Sequence, residues 1–168
     1  MGYSSLRSCI DDLEKNGHLI RISQEVDPNL EMASIHLEEF KNSGKAILFE
    51  NVKGSKYPAV SNIFGNIDRS NFIFRKSIKK VKKLIDLKMN PINGFKDPIS
   101  SLKSAVYATM ALPKKVSFPK DFEEIKISEI PQIKCWPDDG GAFITLPQVY
   151  SEDILNPGII NSNLGMYR

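Results

Sequence analysis

Cysteine is scarce in this chain. Cys9 and Cys135 are the only two and stand far apart, which excludes a disulfide framework and any Cys/His cluster at zinc spacing. His18 and His36 are the only histidines, neither has a ligand-spaced partner, and both read as structural. No apolar run approaches the ~20 residues that span a bilayer. The start, Met1-Gly2-Tyr3-Ser4-Ser5-Leu6, lacks a basic region followed by an apolar core. Leu6 also stands where a myristoylation signal needs Ser or Thr. A cytoplasmic protein is expected, with at most peripheral membrane association. There is no glycine-rich phosphate loop, no nucleophile elbow and no internal repeat, so the common nucleotide-hydrolysing, serine-hydrolase and solenoid classes lack support.

What is present describes a soluble globular chain of 168 residues, 41% hydrophobic and 26% charged, with a formal charge of +3. That charge is modest, but its distribution is uneven. Between Arg75 and Lys88 stand Arg75, Lys76, Lys79, Lys80, Lys82, Lys83 and Lys88 against the single acid Asp86. Phe74, Ile78, Val81 and Ile85 step through the same stretch by four, three and four, which predicts a helix with an apolar seam. A basic amphipathic helix can bind nucleic acid or an anionic surface. It can equally pack its seam as core and leave its lysines in water. No stacking aromatics or nucleic-acid motif accompany it, so the second reading is favoured and no nucleic-acid partner is expected.

Taken in order, the chain alternates helix and strand. Leu6, Cys9, Ile10 and Leu13 predict a helix capped by Ser4 or Ser5 and closed by Gly17. Residues 19–22 follow as a short strand. Asp27-Pro28 signals a second helix start, with Leu30, Ala33, Leu37 and Phe40 on one stripe and Asn42-Ser43-Gly44 at its end. The apolar run 46–49 fits a strand buried on both faces, and 59–63 is the next strand. A turn-rich linker at 90–96 and a helix over 102–110 come next. From Val116 on, Pro119, Pro131, Pro137, Pro147 and Pro157 separate short β-rich runs at 116–118, 125–127, 143–146 and 148–150. The fold class is therefore α/β: an N-terminal α/β domain over 1–115, then a β-rich region over 116–168.

The last stretch alternates most clearly. In Asn163-Leu164-Gly165-Met166-Tyr167-Arg168, a strand places Asn163, Gly165 and Tyr167 on one face and Leu164, Met166 and Arg168 on the other. Glycine inside a strand often marks a close approach by a ligand or backbone. An edge strand with polar residues in water fits the pattern as well.

Three blocks in order, Cys135-Trp136-Pro137-Asp138-Asp139-Gly140-Gly141, Phe143-Ile144-Thr145-Leu146-Pro147 and Asn163-Leu164-Gly165-Met166-Tyr167-Arg168, resemble the UbiD-type decarboxylases. The likeness is to the longer members that act in quinone biosynthesis. Gly17-His18-Leu19-Ile20-Arg21-Ile22 and Ala46-Ile47-Leu48-Phe49-Glu50-Asn51-Val52 extend it upstream. It covers essentially the whole chain but only about the first third of the family's length.

This resemblance implies reversible, non-oxidative decarboxylation of an aromatic or α,β-unsaturated acid, using prenylated FMN with Mn2+ or Mg2+ and K+. It implies that 116–168 opens a split β-barrel of flavin-reductase type, incomplete in this chain. Asn163 corresponds to the family's metal-ligating asparagine, whose histidine and glutamate co-ligands come from later sequence. Gly165 and Met166 correspond to backbone passing close to the flavin and its phosphate, and Thr145 to a hydroxyl near the cofactor. Arg168 corresponds to the arginine that holds the substrate carboxylate in a network with two glutamates. The alternative for Arg168 is a frayed arginine in water. Trp136 is expected as core packing and Cys135 as a buried, inert thiol. With most ligands outside it, the chain is expected to be inactive alone and to act as a homo-oligomer or with a complementary chain. The competing readings are a non-catalytic remnant and a basic binding module.

Overall fold

The computed structural model describes residues 2–90, 106, 109, 116, 117 and 121–168. The expected linker after residue 90 and most of the helix over 102–110 lie outside the described residues; of that helix Val106 and Thr109 are described, both helical, and of the expected strand at 116–118 Val116 and Ser117 are described and form no strand.

Helix α1 (Leu6–Lys15) starts where Ser5, in extended backbone, accepts from the Ser8 amide at 3.2 Å while Ser8 Oγ accepts from the Ser5 amide at 3.2 Å. This reciprocal capping satisfies two otherwise orphaned donors. Gly17 at φ +75° turns the chain out of the helix, a conformation that favours glycine. Strand β1 (Leu19–Val26) runs longer than 19–22, because its parallel pairing with β2 (Ala46–Val52) resumes after a register shift between Ile22 and Glu25. The polar Ser23-Gln24-Glu25 at that irregularity hides the continuation from a pattern reading.

Helix α2 (Glu31–Lys41) starts three residues later than Asp27-Pro28 suggests. The intervening backbone is used elsewhere: the Leu30 amide donates to Lys134 O and the Lys134 amide to Pro28 O, both at 3.0 Å. Asp27 instead accepts from the Asn29 amide at 2.8 Å and pairs with Lys53 at 2.8 Å. Leu30 takes φ +72° to re-enter the helix.

Strand β2 is flanked by β1 and by antiparallel β3 (Ala59–Ser61), giving the order β1-β2-β3. Its alternation divides the core. Ala46 and Leu48 pack with Cys9, Leu13, Leu19 and Ile73 on one face; Ile47 and Phe49 pack with Val26, Met32 and Val52 on the other. The run 46–49 is buried on both faces as expected, between α1 and Ile73 on one side and α2 on the other. His36 Nδ1 lies 2.6 Å from Ser61 Oγ, and His18 packs its ring against Phe72, so both histidines make structural contacts.

Helix α3 (Ile67–Ile73) is absent from the sequence reading. Asn66 caps it by accepting from the Asp68 and Arg69 amides. Arg69 is turned inward at 2% exposure, donating to the carbonyls of Ile63, Gly44 and Asn62.

Helix α4 (Ile78–Met89) forms in the basic stretch, but its seam is not core. Val81, Ile85 and Met89 are exposed, and the less accessible stripe runs through Ile78, Leu84 and Leu87. Phe74 belongs to the preceding turn, where it stacks on Phe64, and so is not part of a stripe on the helix. Lys79, Lys82 and Lys83 are exposed. Changing these three to Gln is expected to change the unfolding free energy by no more than ~0.5 kcal/mol. Denaturant titration measures this; a larger loss would mean the helix is held by its charges.

Between residues 123 and 134 the chain lies against the unit built on the three-stranded sheet. Lys134 bridges Asn29, Ile133 packs on the Phe49 side, and Ser55 Oγ donates to Glu129 O at 2.8 Å. The expected strand at 125–127 is instead a 3-10 turn over Ile127–Glu129. The expected strand at 143–146 reduces to one bridge, Phe143 with Ile133. Pro147 interrupts that run, and its neighbours form bends. Strands β4 (Gln148–Glu152) and β5 (Ser162–Met166) make an antiparallel two-stranded ribbon. No helix among the described residues is long and apolar enough to cross a membrane.

Candidate active site

The site is built on the turn 135–141 and the end of β5. Asp139 Oδ2 accepts from the amides of Cys135 and Trp136 at 3.1 and 3.0 Å, and the Asp139 amide donates to Trp136 O at 3.1 Å. Asp-Asp-Gly-Gly after Cys-Trp-Pro suits such a side-chain-closed turn. The turn is anchored through Lys134 to Asn29 and through Ile133 to Phe143.

Arg168 reaches back onto this turn. Its Nη2 donates to both Asp139 oxygens at 2.7 Å, and its guanidinium carbon lies 4.3 Å from the Phe143 ring centre. The ring face favours a cation there. The arginine is therefore tied to an acid rather than frayed in water. Burial pushes the Asp139 carboxyl up, but the bonds from Arg168 and from the Trp136 and Cys135 amides outweigh it, and the group lies below the usual carboxylate range. Nε and Nη1 of Arg168 have no partner among the described residues.

The other candidate residues lie on or beside the ribbon. Asn163 pairs across from Ser151, and Gly165 across from Val149. Tyr167 folds its ring over Gly165, where a Cβ would meet Tyr167 Cζ and Oη at 2.6 Å. Its missing side chain makes room for the phenol of the same face. Asn163, Met166 and Thr145 are exposed, and no hydrogen bond joins Thr145 or Asn163 to the Arg168 group among the described residues. Trp136 is 54% exposed, against the expectation of core packing, because the turn that binds Asp139 carries its ring outward. Cys135 is half-buried, and its amide, not its thiol, has the structural role.

A divalent ion of the Mg2+ or Mn2+ type takes about six hard oxygen ligands. Asn163 offers one neutral amide oxygen, and no group of three or more His, Cys, Asp or Glu that could hold a metal exists among the described residues. The residues present do not make a complete metal or flavin-phosphate site. Asp139 and Phe143, which sequence reasoning gave no role, prove to be the partners of Arg168. The only signal for Asp139 was its place in a turn-forming run.

Residues 10–88 match the 3-octaprenyl-4-hydroxybenzoate carboxy-lyase N-terminal domain, and residues 109–168 match the Rift-related domain of the same carboxy-lyase. A Chlamydia caviae protein is 36% identical over 172 residues, spanning 100% of this chain and 29% of that protein. A 4-hydroxybenzoate decarboxylase chain from Chlamydia pneumoniae is 34% identical over 175 residues, spanning 98% of this chain and 28% of that protein. The chain thus spans less than a third of the curated relatives it matches. Among solved structures, the open form of Sedimentibacter hydroxybenzoicus vanillic acid decarboxylase superposes with a TM-score of 0.70 at 22% identity, over 99% of this chain and 36% of that one. The UbiD-class enzyme HmfF from Pelotomaculum thermopropionicum, in complex with prFMN, superposes with a TM-score of 0.67 at 19% identity, over 98% and 35%. Two adjoining matches to one carboxy-lyase, a named decarboxylase relative and a shared fold agree, and the chain belongs to the UbiD family.

Proposed function

We propose that this chain is the N-terminal portion of a UbiD-like carboxy-lyase that performs reversible, non-oxidative decarboxylation of an aromatic or α,β-unsaturated acid, in ubiquinone or menaquinone biosynthesis. The observation that carries it is the placement of Arg168. A guanidinium held at one nitrogen by Asp139 and backed by Phe143 keeps Nε and Nη1 available for a substrate carboxylate. In the reaction the bond to that carboxylate breaks, carbon dioxide leaves, and a proton takes its place on the carbon. The clamp's part is to orient the carboxylate and hold its charge.

Asn163, Thr145, Gly165 and Met166 are this chain's contribution to a site for prenylated FMN, Mn2+ or Mg2+, and K+. These residues are too few to carry flavin or metal chemistry themselves. The remaining ligands belong to a longer polypeptide, a second copy or a complementary chain, and 116–168 is the opening of a split barrel that they complete. The exposed apolar residues of the ribbon, Val149, Leu164 and Met166, support that reading, since a two-stranded ribbon alone is marginal. The unit 1–115 is a separate domain, and the protein is cytoplasmic.

The test joins this chain to the part of the Chlamydia pneumoniae relative that it does not match and follows aromatic-acid decarboxylation. Arg168→Ala is expected to lower kcat/KM by about a hundredfold or more, and Arg168→Lys to restore little, because an ammonium lacks the fork. Unchanged activity in Arg168→Ala would remove the clamp.

A further inference from the structure

We propose that Asp139 is a positioning residue: it holds the Arg168 guanidinium by one nitrogen and presents the other donors to a carboxylate ligand. The inference rests on the carboxylate-clamp reading of Arg168 and adds to it the group that aims the clamp.

Three observations converge on this acid. First, Asp139 is the fixed member of the pair. Its side chain is 12% exposed against 43% for Arg168, and it is bound to two backbone amides of its own turn besides the arginine. Second, the engagement is one-sided. Both carboxylate oxygens fall on Nη2, leaving Nε and Nη1 without partners among the described residues. A guanidinium has five N–H donors in a rigid plane, so fixing one nitrogen and laying the plane on the Phe143 ring determines where the rest point. Third, the anchor is not local to the ribbon. The turn that carries Asp139 is bonded through Lys134 to the Pro28 carbonyl and the Leu30 amide, on either side of Asn29, and through Ile133 to Phe143. Arg168 is thereby referenced to the three-stranded sheet rather than to the ribbon from which it extends. An unanchored arginine loses much of its rotamer freedom on binding; one already held loses less.

The isotope-labelled 168-residue chain tests this by NMR of the Arg168 side chain, with sodium benzoate as an aromatic carboxylate probe. In the unsubstituted protein, Nη2 is expected to show a through-hydrogen-bond coupling to Asp139 Cγ and slow rotation of the guanidinium. Benzoate is expected to shift Nε and Nη1 while Nη2 keeps its coupling. Asp139→Asn retains an oxygen for the Cys135 and Trp136 amides but loses the charge, and should speed guanidinium rotation by roughly tenfold. Asp139→Ala should do the same and in addition release those two amides, which separates a lost turn from a lost anchor. If Asp139→Asn leaves the rotation unchanged while benzoate still shifts Arg168, the positioning role is wrong and the clamp stands. If benzoate leaves Arg168 unmoved in the unsubstituted protein, the clamp reading fails, and the positioning role falls with it. Absence of the Nη2 coupling together with fast rotation in the unsubstituted protein overturns the proposal whatever the variants do.

Discussion

Phe49→Ala is expected to destabilise the three-stranded unit by about 3–5 kcal/mol. Phe49 is 0% exposed and the largest fully buried side chain. It fills the space between β2 and α2, against Val26, Met32, Ile47 and Val52. Truncation removes its transfer free energy and leaves a cavity that strand and helix cannot both move to close, because β2 is pinned on either side by β1 and β3. Domains of this kind have only about 5–15 kcal/mol in total, so the variant should be largely unfolded at moderate urea where the unsubstituted chain is native. Urea titration followed by far-UV circular dichroism measures this. A shift under about 1 kcal/mol would mean the face collapses freely, and the packing described for it would be wrong.

Arg69→Met is expected to cost a comparable ~3 kcal/mol, for a different reason. The arginine is buried without a carboxylate hydrogen-bonded to it, and its charge is held by three carbonyls, those of Ile63, Gly44 and Asn62, at 3.0, 2.8 and 2.6 Å. Burial pushes its pKa down, with Glu39 opposing from a distance. Methionine fills the volume but donates nothing, so carbonyls from two loops lose their donors; each unsatisfied buried group costs ~1–3 kcal/mol. The same fork ties the end of α2 to the start of α3. Hydrogen exchange at 42–45 and 62–66 should therefore rise more than the global loss explains. If Arg69→Met is as stable as the unsubstituted chain, the burial of this guanidinium is incidental.

Much of the three-stranded unit was legible in the sequence, because local chemistry and tertiary packing agree there. Ser5 and Gly17 bracket α1, and the run Ala46-Ile47-Leu48-Phe49 needs no context to be read as a strand with two buried faces. Legibility failed where a distant residue decides. Asp27-Pro28 has every local mark of a helix start, yet Lys134, over a hundred residues away in sequence, pairs with that backbone and delays the helix. Helix α3 is short, and its most buried side chain is an arginine, so hydrophobic periodicity cannot find it; only Asn66 as a cap signalled it. The seam of α4 was misplaced because Phe74 lies in a turn, not on the helix. At the site, the terminal block and its arginine stood out, but the arginine's partner did not. Asp139 is one acid in a turn-rich run, and only the chain's return from β5 brings Arg168 to it.

The central claim is that this chain carries part of a UbiD site and that residues outside it complete the rest. Retention of prFMN tests this most directly. The chain would be purified alone, and again after co-expression with the part of the Chlamydia pneumoniae relative that it does not match, each with Asn163 intact or changed to Ala. Bound flavin would be read by absorbance and native mass spectrometry. The predicted result is no retention by the chain alone, near-stoichiometric retention with the complement, and a loss of about 10- to 100-fold in affinity with Asn163→Ala. Stoichiometric prFMN on the chain alone, unaffected by Asn163→Ala, would contradict the claim.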